Sequence, residues 1–141
     1  MHLIRLFVVA AVIVACFTAT AHAKVVASVD LSQQQMRVYV NGALRYTWPV
    51  STARRGYVTP TGRYQPQSMH RYHRSTKYSG APMPHSIFFR GGYAIHGSYE
   101  IRNLGRRASH GCIRLHPANA RELFQLMQTN GRGGASIVVH P

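Results

Sequence analysis

The dipeptide Asn41-Gly42, flanked by β-branched and aromatic runs, restricts the fold more than any other local feature of the chain. Asn-Gly supplies the two positive-φ residues of a type I′ turn, so the flanking runs must return on each other as a hairpin. Gln35 to Val40 leads into this turn and Ala43 to Val50 leads out of it. Val25 to Leu31 is a similar short, partly alternating run. Ile87-Phe88-Phe89 and Tyr93-Ala94-Ile95 flank Gly91-Gly92 as a further hairpin, and Ser136 to Val139 reads as a closing strand. Helical spacing occurs convincingly once. Pro117 suits a first helical position, Leu123, Leu126 and Met127 recur at i, i+3 and i+4, and Asn130-Gly131 can end the helix. Many short strands with one late amphipathic helix predict a mostly β domain.

Two segments carry little periodicity. Gln65 to Pro84, rich in Pro, Ser, Arg and His, reads as a long loop, either a lid or binding surface or a solvated insertion. His70 and His73 lie within it, but no Cys, Asp or Glu is near enough in sequence to complete a metal site. Ser98 to Ala108 is polar and basic, a loop expected over the mouth of a site. Its Arg102, Arg106 and Arg107 either meet substrate carboxylates or form a solvated charge run.

The N-terminus bears on compartment. Met1 to Arg5 is a short basic start, Leu6 to Phe17 is apolar, and Ala21-His22-Ala23 is an A-x-A pattern, so residues 1–23 read as a signal peptide with the mature domain at 24–141. A membrane anchor is the alternative, but about 12 apolar residues cover roughly 18 Å of a hydrocarbon core near 30 Å. Ile13-Val14-Ala15-Cys16 also offers a lipobox-like reading. Seventeen Lys and Arg face three Asp and Glu, a net charge of +14 of which Arg5 in the leader contributes one. Such an excess, mostly arginine, attracts polyanions and suits carboxylate and phosphate recognition. Nucleic acid is the usual partner for that charge, and Arg71-Tyr72-His73-Arg74 interleaves aromatics with bases as stacking platforms do. Export turns the expectation to envelope anions instead, with no nucleic acid and no transmembrane helix in the mature form.

Cleavage after Ala23 would leave Cys112 as the one cysteine, unable to form an internal disulfide. It sits in Ser109-His110-Gly111-Cys112-Ile113-Arg114-Leu115, with His96-Gly97 upstream. If the stretch is extended, Ile113 and Leu115 face one side while Cys112 and Arg114 face the other, about 7 Å apart. Upstream, Tyr93 and Ile95 should face the core and Ala94 and His96 the polar side. His96 and Cys112 can then meet if the two strands are neighbours. No acid lies between Glu100 and Glu122, so the local field is expected to favour the thiolate.

His-Gly followed at a distance by Ser-His-Gly-Cys-Ile-Arg-Leu resembles the signature of the L,D-transpeptidase catalytic domain, the YkuD family. Asp30 to Gln34, Asn41-Gly42, Ser51-Thr52 and Thr59-Pro60-Thr61-Gly62 are also similar to that domain, in the family's order. Ala53 stands where the family usually has Gly. The resemblance implies a β-sandwich-like fold over 24–141, a periplasmic or cell-envelope location, no cofactor and no metal. It implies that Cys112 is the nucleophile and His96 its histidine, with His110 the second choice and more a positioning residue. Acyl transfer also needs oxyanion donors, expected from the backbone N–H groups of His110, Gly111 and Cys112. A backbone carbonyl or hydroxyl should orient His96, Ser98 being the nearest candidate and Ser109 a structural residue. Arg114 and Gly97 are expected at the substrate. By resemblance the substrate is a peptidoglycan stem peptide, cleaved between a diamino acid and D-Ala, and the acceptor is a second stem peptide, an amine-bearing envelope protein, a D-amino acid or water. A silent cationic wall-binding module and a zinc hydrolase using His96, His110 and Cys112 are the alternatives from other classes.

Overall fold

The computed structural model describes residues 24–141, so the leader and its Cys16 alternative lie outside the described residues. Nine strands and one α-helix follow in the order β1 (Val25–Asp30), β2 (Gln35–Val40), β3 (Ala43–Pro49), β4 (Gly62–Tyr64), β5 (Ser68–Arg74), β6 (Pro82–Arg90), β7 (Tyr93–Gly97), β8 (Ile113–Leu115), α1 (Pro117–Asn130) and β9 (Ala135–His140). They form a five-stranded sheet in the order β3-β2-β1-β9-β4 and a four-stranded sheet in the order β5-β6-β7-β8. The β1–β9 and β7–β8 pairs are parallel and the others antiparallel. The mostly β class expected from the sequence is therefore the class observed. Among the described residues no helix is long and apolar enough to cross a membrane.

One apolar cluster draws on both sheets and the helix. Val25, Ala27 and Val29 alternate into it from β1, Met36 and Val38 from β2, Ile87 and Phe89 from β6, and Ile113 and Leu115 from β8. The hairpin at Asn41-Gly42 forms as expected, with φ of 51° and 82° at the two turn residues. In α1 the buried face is Ala120, Leu123, Phe124 and Met127, while Leu126 packs at its edge. His116 Nδ1 accepts the Ala118 N–H at 3.1 Å at one end. At the other end the Gly131 N–H donates to the Met127 carbonyl at 3.0 Å.

Gln65 to Pro84 is not a long loop. It holds β5 and the start of β6, joined by residues 75–81. Most β5 side chains are exposed, so the edge strand shows none of the apolar alternation by which strands are read. Pro82 and Pro84 disguise β6 as well, yet that end of β6 pairs with β5 alone, where a missing N–H disrupts no second ladder. Tyr93 also departs from the expected alternation. A register shift between Phe88 and Arg90 lies opposite it, and its ring packs on the core while bordering the cleft described next.

Candidate active site

Burial of Ile113 and Leu115, both fully inaccessible, fixes which way β8 faces. Each such side chain contributes about 2 kcal/mol, and a one-residue slip would expose both. The opposite face therefore carries Cys112 and Arg114. Parallel pairing sets Ile95 opposite Ile113 and His96 opposite Arg114, so β7 is the neighbour that the chemistry requires. Cys112, His96, Arg114, Ser98, Ser109 and His110 all line one cleft of about 700 Å³.

His96 is 6% exposed, and its Nδ1 lies 2.7 Å from the Gly97 carbonyl. A carbonyl only accepts, so Nδ1 carries the hydrogen and Nε2 keeps the lone pair. The orienting group is thus a backbone carbonyl, one of the two kinds expected. Ser98 serves elsewhere, its Oγ accepting the Glu100 N–H at 3.2 Å. Burial lowers the His96 pKa to about 4, with the charges of Arg114 and His73 adding to the effect and the Gly97 bond opposing it. The imidazole is neutral at pH 7.

For Cys112 the expected sign reverses. Burial raises its pKa above the ordinary thiol value, against the opposing pull of the Ala94 N–H and the Arg114 guanidinium. The cationic surroundings are present, but loss of water outweighs them. The cleft thus holds a neutral thiol and a neutral imidazole at rest, and Sγ makes a long contact, 3.8 Å, to the Gly92 carbonyl.

The turn before Cys112 is held from several directions. Ser109 Oγ donates to the Cys112 carbonyl at 2.6 Å and accepts the Gly111 N–H at 3.0 Å. Thr59 Oγ1 donates to the Gly111 carbonyl at 2.8 Å and accepts the Ala53 N–H at 3.0 Å. The Ser109 N–H donates to the Thr52 carbonyl at 2.9 Å, and Thr52 is held in turn by the buried Gln34 amide, which donates from Nε2 at 2.6 Å and accepts at Oε1 at 2.9 Å. Gly111 has φ of 135°, and a Cβ there would stand 2.6 Å from the Tyr93 ring. Its N–H, one of the three donors expected at the oxyanion, is engaged here by Ser109 Oγ.

Other assignments shift. Gly97 does not line the cleft; it is buried where a Cβ would meet Pro84 at 3.0 Å and the Pro117 backbone at 3.1 Å, so it packs closely against α1. His110 stacks on Tyr78 at 4.1 Å and meets the edge of Tyr57 at 4.8 Å. Desolvation, then Arg54, Arg114 and Lys77, lower its pKa. Arg114 already holds Glu100, Nη1 to Oε2 at 3.2 Å. Arg107 donates to the Leu31 carbonyl and Arg106 to the Arg102 carbonyl, both at 3.0 Å, and neither these two arginines nor Arg102 lines the cleft. Glu100, Lys77, Tyr78 and Tyr93 line the cleft without having been singled out as site residues, for none belongs to a motif that assigns it a role. Among the described residues no group of three His, Cys, Asp or Glu side chains is placed to hold a metal ion.

Two packed sheets, a late helix and a cleft floored by a histidine on β7 and a cysteine just ahead of its parallel neighbour β8 define a small β-domain class. The model of the L,D-transpeptidase catalytic domain (YkuD) matches residues 24–139, and the chain belongs to that family. An L,D-transpeptidase from Mycobacterium smegmatis superposes with a TM-score of 0.74 at 22% identity, covering 84% of this chain and 59% of the other. L,D-transpeptidase 3 from Mycobacterium tuberculosis, solved with a faropenem-derived adduct, gives 0.73 at 21% identity, covering 84% and 61%. At these identities the likeness is one of fold. A Fuscovulum blasticum protein, named for an L,D-transpeptidase in its ATP synthase subunits region, is 48% identical over 40 residues, 28% of this chain and 21% of that one. The chain spans less than two thirds of the length of each.

Proposed function

We propose that the domain is an exported peptidoglycan L,D-transpeptidase acting through Cys112. The reading rests above all on the pairing of β7 with β8, which holds His96 and Cys112 on one cleft with the lone pair of His96 on Nε2. Because both groups rest neutral, the thiol proton passes to Nε2 as Sγ attacks the amide carbon between the diamino acid and D-Ala. His96 then returns that proton to the leaving nitrogen. D-Ala departs as the free amine and the acyl group stays on sulfur as a thioester. An entering amine gives its proton to His96, forms the new amide and releases the thiol. Envelope location follows from the substrate and from the leader read at residues 1–23.

Mass spectrometry of tetrapeptide muropeptides incubated with residues 24–141, beside the Cys112→Ala variant, tests this. Loss of D-Ala with dimers, exchanged or trimmed products in the intact protein alone is the expected result, and the product names the acceptor. A folded protein that turns over no stem peptide with any amine acceptor overturns the reading and favours a cationic wall-binding module. By analogy with the faropenem-derived adduct on the Mycobacterium tuberculosis protein, faropenem should leave a covalent mass on Cys112.

A further inference from the structure

A second cleft, of about 260 Å³, lies between β5, β6 and α1 and shares no lining residue with the first. Its basic groups come one from each element: Arg71 on β5, His85 on β6 and Arg121 on α1. The register that pairs His70 with Ser86 and Tyr72 with Pro84 sets Arg71 directly across from His85. The floor is Phe124, which is 2% exposed. His85 meets its ring edge-on at 5.3 Å, and the Arg71 guanidinium lies 6.0 Å above it. Arg71 is further steadied by Gln128 Oε1 at 3.4 Å.

The charge in this cleft is uncompensated. The acids among the described residues are Asp30, Glu100 and Glu122. Asp30 accepts from Ser32 and Gln33, Glu100 pairs with Arg114, and Glu122 accepts the Tyr46 hydroxyl at 3.0 Å. None lines the cleft. His85 also has φ of 52° inside a strand, a conformation that non-glycine residues rarely hold and that clusters at functional positions. Its pKa is lowered, first by burial and then by the charges of Arg121 and Arg71.

We propose that this cleft is a phosphate-binding site, in which Arg71, His85 and Arg121 close on one tetrahedral oxyanion over the Phe124 ring. Donors arriving from three elements match an anion with oxygens in three directions. A planar carboxylate would satisfy one guanidinium bidentately and leave the other two groups short. The site is independent of Cys112, and its phosphate comes either from a soluble phosphate ester or from an anionic lipid headgroup.

The test follows the His85 imidazole resonance as inorganic phosphate is added at constant ionic strength. The proteins are the unaltered chain, Arg71→Gln/Arg121→Gln, and Arg37→Gln/Arg45→Gln as a control of equal charge loss. A saturating shift with a half-point of about 1 mM is expected in the first and last, and at least about tenfold weaker binding in the cleft variant. Matching thermal melts, with unmoved His96 and His110 resonances, show that the variant is folded. Glycerol phosphate and vesicles of phosphatidylglycerol then compete. Displacement of phosphate by the soluble ester at equal phosphate concentration assigns a soluble source, and stronger displacement by the vesicles assigns a headgroup. A shift that never saturates, or that weakens equally in both double variants, overturns the proposal, since general surface charge then accounts for it.

Discussion

The floor and the rim of the Cys112 cleft are built on different principles. On the floor, Cys112, His96, Gly111 and Ser109 are tied by short hydrogen bonds and by Cβ-forbidding contacts, with Thr59, Thr52 and Gln34 closing the network behind them. On the rim, the side chains of Tyr78, Lys77 and Glu100 are held by exposed contacts, Tyr78 stacked on His110, Lys77 over the Tyr78 ring and Glu100 on Arg114 and Asn103. Buried polar groups are costly when unpaired, so the floor tolerates little change. Exposed contacts are worth less and exchange readily with water and ligand. The floor sets the chemistry, while the rim is free to set what is bound.

Gly111→Ala should break the floor most severely. The added Cβ meets the Tyr93 ring and the Val58 carbonyl, and the backbone must still hold a positive φ. A loss of about 3 kcal/mol in urea denaturation is expected, with turnover abolished. Unchanged stability would mean that the turn repacks and that the floor is softer than its contacts imply.

Acid should attack the same floor through His96. Its folded pKa of about 4 lies below the unfolded value of 6.5, so between those pH values the unfolded chain binds more protons. Stability is therefore greatest above pH 6.5 and declines as pH falls towards 4, by up to about 3 kcal/mol. His96→Asn should flatten that slope, which denaturant melts across pH 4 to 7 would reveal. Turnover should persist to about pH 5 and fail as the imidazole protonates near 4. An acid limb near 6.5 would show instead that His96 is solvated during catalysis.

Ser109→Ala should cost about 1 to 2 kcal/mol, because it leaves the Gly111 N–H and the Cys112 carbonyl short of a partner. Turnover should fall with it, since the turn that presents the thiol loosens. Ser98→Ala, by contrast, removes only an acceptor for the Glu100 N–H and should be nearly neutral in thermal melts.

These effects follow what the sequence makes legible. Floor residues announce themselves because burial and motif coincide: Ile113 and Leu115 reveal the facing of Cys112, and Asn41-Gly42 reveals the opening hairpin. The parallel neighbours β1–β9 and β7–β8 join segments far apart in the chain, which local periodicity does not encode. Strand β5 escapes because an edge strand with exposed basic side chains has no alternation to read. The charge state of Cys112 is missed for a different reason. Counting nearby arginines gives the sign of the field, but desolvation depends on packing that only the fold reveals.

The weakest contact on the rim gives the sharpest test of the division between the two regions. Arg114 is 18% exposed and Glu100 is 62% exposed, so their pair adds at most about 0.5 kcal/mol to stability. Arg114 belongs to the floor by position, yet Glu100 occupies the guanidinium that a substrate carboxylate would need. Glu100→Gln should leave the melting curve in place while lowering KM for an anionic stem peptide about threefold, because a neutral amide competes less well for the arginine. If KM rises instead, Glu100 itself contacts the substrate, most simply through an ammonium group, and the rim is part of the recognition surface rather than its competitor. Repeating the measurement with the stem-peptide carboxylates amidated separates the two cases: relief of competition at Arg114 disappears with the carboxylate, whereas loss of an ammonium contact does not.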